Sequence, residues 1–263
     1  RRAASASATG LARAAAIAAG GEGNARDQAG GSPLVAAISS NVWAEEKTAL
    51  LLKAGADPNL YDPEVISGPP LSLAASKGRV AVVKMLLEAG AEINVLPPRG
   101  YAPMFWGCMK FPMIDPEDDP QAYAASEDNR RRMFQLFLDK GADLTFDQSG
   151  AKCLVMVAAD GELETVRLML KAGVPVNGTD VGVTTALMMA AAFNSDPKIV
   201  ALLLENGADP EMLDWQDITA LDYARGNIPA LKTLSGMSPD YAKGTENPAA
   251  GEIIRLLEAA QKQ

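Results

Sequence analysis

The stretch PPLSLAASKGRVAVVKMLLEAGAEIN, residues 69–94, decides the fold. Pro69 and Pro70 open a helix, because a proline in the first turn gives up no needed hydrogen bond. Leu71, Leu73, Ala74 and Ala75 continue it with a face of small residues, and Lys77-Gly78 ends it. From Val80 to Leu87 a second helix is expected, with Val83, Leu86 and Leu87 on one side at helical spacing. Gly90 stands where a helix commonly ends in a left-handed residue. Helices this short do not hold together alone in water, so other parts of the chain must cover them.

Copies of the pattern lie on both sides of it. Repeat one reads SPLVAAI at 32–38 and TALLLKAGADPN at 48–59, and repeat two is the stretch above. Repeat three reads APMFWGC at 102–108 and MFQLFLDKGADLT at 133–145; repeat four reads KCLVMVA at 152–158 and TVRLMLKAGVPVN at 165–177. Repeat five reads TALMMAA at 185–191 and IVALLLENGADPE at 199–211; repeat six reads TALDYA at 219–224 and EIIRLLEAA at 252–260. The helix-ending glycines are Gly55, Gly90, Gly141, Gly173 and Gly207. Recurrence at about 33 residues is the mark of a stacked repeat array.

These segments resemble ankyrin repeats: a Thr-Pro-Leu-His-x-Ala-Ala helix start, an x-Val-Val-x-Leu-Leu-Leu helix, then Gly-Ala-Asp-x-Asn leading into a finger. The resemblance covers roughly residues 31–260. It implies an all-α, ankyrin-like solenoid of about six helix-turn-helix repeats with β-hairpin fingers, used to bind other proteins. The chain departs from the family at its histidine position, held here by Val35, Ser72, Phe105, Val155, Met188 and Asp222. The loop ties that the family's imidazole makes are expected to be missing, with Ser72 and Asp222 the only polar substitutes.

Two stretches interrupt the period. One lies near 110–128, within KFPMIDPEDDPQAYAASED, and one near 227–248. Residues 32–263 are read as the repeat domain and residues 1–31 as a separate Ala/Arg-rich extension. That extension holds four Arg against Glu22 and Asp27, so it carries +2 where the remainder carries −11. An Arg-bearing, acid-poor start reads as a plastid or mitochondrial targeting remnant, which would make the protein intracellular. A twin-arginine signal fits less well because Arg13 interrupts the apolar run. The alternatives are a low-complexity tail, or a helix over Leu11–Ala19 capping the first repeat.

Composition narrows the function. Net charge is −9, whereas nucleic-acid binding needs a basic surface. No apolar run is long enough to span a membrane, which leaves association with a membrane complex open. The chain has no histidine, which removes histidine triads, proton shuttles and histidine metal sites. No phosphate-cradling glycine loop or metal-ligand spacing is present, so no catalytic, cofactor or metal residue is assigned and no cofactor is expected. Cys108 and Cys153 make no disulfide framework and read as small buried side chains. Arg130, Arg131 and Arg132 read as a solvated helix start facing the acidic insertion.

The candidate site is a partner-binding surface. Tyr61, Arg99, Tyr101, Phe146 and Trp215 follow the Gly-Ala-Asp turns, on fingers that project into solvent. Tyr, Trp and Arg are the types that dominate binding hot spots; the competing reading is that each ring packs on a neighbouring finger. Asp118 and Asp119, in the acidic insertion, are contacts for a basic partner. The function expected is a non-catalytic protein-interaction scaffold, a structural subunit of a larger organellar assembly. A soluble regulatory adaptor or inhibitor that binds one partner reversibly is the alternative, and an enzyme of unknown class the third.

Overall fold

The computed structural model describes residues 20, 23–26, 31–61, 68–97, 101–109, 120–193, 196–226 and 249–262, with residues 120–126 by backbone alone. The chain divides into two compact units, Arg1–Asp143 and Leu144–Gln263.

Among the described residues the first unit contains three helix pairs. These are α1 (Pro33–Ser39) with α2 (Ala44–Lys53), α3 (Pro70–Ser76) with α4 (Val80–Glu88), and α5 (Pro103–Gly107) with α6 (Pro120–Asp139). The first helices of the pairs pack in a row, α1 on α3 and α3 on α5; the second helices do the same, α2 on α4 and α4 on α6. Leu34, Ile38, Leu51, Leu71, Val83, Leu86, Phe134 and Phe137 fill the space between rows. Stability in such a stack is a sum over repeat interfaces. The long α6 takes up residues 120–128, the second half of the stretch near 110–128. The second half of this helix also corrects the reading of Arg130. Its side chain is 2% exposed and Nη1 donates to the Cys108 carbonyl at 3.2 Å, while Arg131 and Arg132 stay in solvent.

The second unit repeats the plan. A 3₁₀ turn at Phe146–Gln148 leads into α7 (Ser149–Asp160), paired with α8 (Leu163–Lys171). Then come α9 (Ala186–Phe193) with α10 (Pro197–Glu205), and α11 (Ala220–Ala224) with α12 (Ala250–Ala260). Helices α7, α9 and α11 form one row and α8, α10 and α12 the other. Leu154, Val166, Met169, Leu187, Met188, Ile199, Leu203, Ile253 and Leu257 are buried between them.

The glycine register holds. Gly55, Gly90, Gly141, Gly173 and Gly207 have φ between +81° and +91°. At Gly90, the Ala91 N–H donates to the Leu86 carbonyl at 2.9 Å and the Gly90 N–H to the Leu87 carbonyl at 3.2 Å. That pair of bonds closes the helix end, and the same pair recurs at Gly207 through Leu203 and Leu204. Among the described residues the fingers are turns with no strand, carrying one isolated antiparallel bridge, Thr179–Thr185.

Asparagine side chains bridge successive fingers. Asn59 Nδ2 donates to the Gly90 carbonyl at 3.0 Å while its Oδ1 accepts from the Glu92 N–H at 2.8 Å. Asn177 does the same to Gly207 and Asp209. Asn24 makes the equivalent pair with Gly55 and Asp57, which sets residues 23–26 against the finger that follows Gly55. The polar substitutes at the histidine position differ: Asp222 closes a capping box with Thr219, whereas Ser72 Oγ is buried and has no hydrogen-bond partner among the described residues. Cys108 and Cys153 are both buried, and neither is a free thiol.

Candidate partner-binding surface

Numbered by the repeat each leads into, fingers five (after Gly173) and six (after Gly207) are built alike, each around one aspartate. Asp180 Oδ1 accepts from the N–H groups of Gly182 and Thr184, at 2.8 and 3.0 Å. Asp214 Oδ1 accepts from Gln216 and Ile218, also at 2.8 and 3.0 Å. A short acidic side chain that bonds backbone amides two residues on is a turn-former. Three residues after each aspartate the backbone turns left-handed, at Val183 (φ 58°) and Asp217 (φ 60°). Asp214 Oδ2 accepts from the Tyr223 hydroxyl at 2.8 Å, which ties finger six to α11. Burial first, then the hydrogen bond and charge of Asp214, push the Tyr223 phenol well above its ordinary 10.0.

These loops present an apolar cluster. Val181 is 84% exposed and Trp215 68%, with Val183 and Leu213 also exposed. A Cβ placed on Gly182 would stand 3.9 Å from Trp215 Cδ1, so the two tips are neighbours. Sequence reasoning found Trp215 and missed the other three. The signal available was a valine on each side of the turn glycine in Asp180-Val-Gly-Val.

The other aromatic fingers are more closely held. Tyr101 is half-buried, with its ring centroid 4.0 Å from Phe105 and 6.0 Å from Trp106. It packs on its own repeat. Tyr61 is half-buried and its carbonyl accepts from Arg26 at 3.3 Å. Phe146 is half-buried in a turn that Lys152 pins by donating to the Asp147 carbonyl at 2.7 Å. Arg99, Asp118 and Asp119 lie outside the described residues. The first unit has its own exposed apolar residues, Val42, Trp43 and Leu96.

A cleft of about 280 Å³ separates fingers four and five, edged by Thr145, Gln148, Asn177 and Thr179. Among the described residues its lining holds no titratable side chain. Among the described residues no cluster of His, Cys, Asp or Glu is arranged to hold a metal, and no helix is long and apolar enough to cross a membrane.

Comparison with known proteins places this geometry. Residues 121–214 match the family model "Ankyrin repeats (3 copies)" and residues 69–96 match "Ankyrin repeat". The solved structure of an ankyrin repeat domain from Acinetobacter baumannii AYE superposes with a TM-score of 0.62 at 25% identity. The superposition covers 87% of this chain and 97% of that one. The chain is an ankyrin repeat protein.

Among curated relatives, this ankyrin repeat protein is 29% identical over 271 residues to E3 ubiquitin-protein ligase KEG of Arabidopsis thaliana, covering 89% of this chain. It is 28% identical over 182 residues to the ankyrin repeat and KH domain-containing protein mask-1 of Caenorhabditis elegans, covering 64% of this chain. The chain spans only 16% and 7% of the length of those two proteins. What is shared is the repeat array, a module for protein–protein interaction.

Proposed function

We propose that this ankyrin repeat protein is a non-catalytic binding scaffold that contacts its partner through the tips of its fingers, with Trp215 as the anchor. The observation that carries this is the exposure of Trp215, 68%, on a loop whose backbone is fixed by Asp214. A large ring exposed on a fixed backbone contributes contact area with less ordering cost on binding than one on a free loop. Tyr61, Tyr101 and Phe146, each half-buried, offer lesser contacts on other fingers, and Arg99, Asp118 and Asp119 keep the contact role read from the sequence. Exposed apolar residues in both units suit a fixed subunit of a larger assembly. The Arg-bearing, acid-poor composition of residues 1–21 would suit an organelle as its place.

The second reading is a soluble adaptor or inhibitor that binds one partner reversibly. It is favoured by the small size of the apolar cluster, four side chains among polar neighbours. Native size-exclusion chromatography separates the two. A subunit co-migrates throughout with a large complex, and an adaptor shows a free pool. For either, Trp215→Ala is expected to lower partner recovery with an unchanged melting curve; unchanged recovery would overturn Trp215 as the anchor.

A further inference from the structure

We propose that the tips of fingers five and six take a partner segment bearing an aliphatic or aromatic side chain flanked by lysine or arginine. This rests on the finger-tip reading above and adds the chemistry of the partner.

The apolar half of the argument comes from backbone conformation. Val183 is β-branched and stands at φ 58°, where such a residue is a genuine outlier. The glycine of the same turn, Gly182, is not among the residues with positive φ. The loop therefore keeps a valine where glycine would relax it, and places a free-turning residue where none is needed. Strained conformations persist where the surroundings over-determine them, and they concentrate at ligand contacts. Here the two bonds to Asp180 and the Thr179–Thr185 bridge hold the turn. The outcome is Val181 and Val183 in solvent beside Trp215. A single exposed apolar residue needs no explanation, but Val181 and Val183 on either side of Gly182, which neighbours Trp215, with Leu213 also exposed two residues before that ring, together mark an interaction site.

The ionic half comes from the rim. Segments 174–185 and 206–219 carry Asp180, Asp209, Glu211, Asp214 and Asp217, with no lysine or arginine. Asp209, Glu211 and Asp217 are exposed. The nearest cations along the chain are Lys171 at the end of α8, Lys198 in the first turn of α10, and Arg225, which pairs with Glu258 at 2.8 Å. An apolar centre inside a rim of one sign selects a partner of the opposite sign. The indole face of Trp215 adds a cation–π seat for arginine. The same rim disfavours nucleic acid and anionic lipid surfaces.

The test pans the full chain against a phage-displayed library of random short peptides, counter-selecting on Trp215→Ala. The enriched peptides are expected to set Lys or Arg around Leu, Ile, Phe or Trp. A synthetic consensus peptide should bind more weakly as salt rises, lose roughly tenfold in affinity with Val181→Ser or Trp215→Ala, and lose several-fold with Glu211→Gln combined with Asp217→Asn. Circular dichroism checks that each variant is folded. Enrichment of neutral or acidic peptides that need Trp215 overturns the cationic partner and leaves the finger-tip surface standing. Absence of any Trp215-dependent peptide overturns this inference, and unchanged native partner recovery by Trp215→Ala overturns the anchor as well. Trp215-dependent binding to phosphatidylserine vesicles, or Trp215-dependent self-association, likewise overturns it.

Discussion

Tyr223 donates its hydroxyl hydrogen to Asp214 Oδ2 across 2.8 Å, and the other oxygen of that carboxylate holds the Gln216 and Ile218 amides. One buried carboxylate thus joins finger six to the helix after it. Tyr223→Phe leaves that oxygen short of a donor, and a hydrogen bond to a charged group is worth about 1.5–3 kcal/mol. A loss of that order in chemical denaturation is expected. The pH dependence has a definite sign. The folded protein holds the phenol protonated above its ordinary 10.0, so this stability is present below that value and fades as pH rises beyond it. Wild type should lose stability above about pH 10 through this group, and Tyr223→Phe should lack that share of the slope. Parallel curves for the two proteins would contradict the assignment.

The asparagine bridges predict a graded effect. Asn177 donates to the Gly207 carbonyl at 3.0 Å and accepts from the Asp209 N–H at 2.9 Å, in an exposed position. Removing both bonds with Asn177→Ala should cost about 1 kcal/mol, because water re-solvates the freed groups. Hydrogen exchange at Asp209 should accelerate by more than at the α10 core. If Asp209 kept its protection, the bridge would not be holding the finger.

Two substitutions in the first unit should move stability in opposite directions. Leu86 is wholly buried, so Leu86→Ala leaves a cavity and should cost about 2–5 kcal/mol. Thr48 is equally buried, and its hydroxyl has no hydrogen-bond partner among the described residues. Thr48→Val keeps the shape and removes the unpaired group, so a gain of about 1 kcal/mol is expected. Thermal melts of both variants give the check, and a loss for Thr48→Val would mean that its hydroxyl is satisfied.

The fold was legible because its punctuation is local. A glycine after each second helix needs only its own positive φ to end that helix, and all five take it. The partner surface was legible only in part, because exposure depends on what each finger touches. Tyr101 meets Phe105 four residues on, a spacing visible in the sequence, yet that contact needs the helix to begin at Pro103. Val181 and Val183 look like core residues until Asp180 fixes the turn that expels them. Arg130 reads as solvated because its partner, the Cys108 carbonyl, lies just past the end of the other helix of its pair. Asn24 reads as part of a separate Ala/Arg-rich extension, although GGEGN at 20–24 resembles GADPN at 55–59.

Val183 offers a test in which stability and binding should part. A β-branched residue at φ 58° sits where the left-handed region costs roughly 1–2 kcal/mol. Glycine takes that conformation freely but loses more chain entropy on folding. Val183→Gly should therefore raise stability by a net of about 0.5–1 kcal/mol, since the side chain is exposed and the packing it gives up is less than the strain relieved. The same change removes an apolar contact from the finger tip, so affinity for a tip-bound partner should fall as stability rises, the trade-off expected where a strained residue serves a site. Val183→Ala separates the causes: it trims the contact but keeps a non-glycine residue at positive φ, so it should lower affinity without the full stability gain. A Val183→Gly variant that is less stable than wild type would show that the valine is held there by packing and not for recognition.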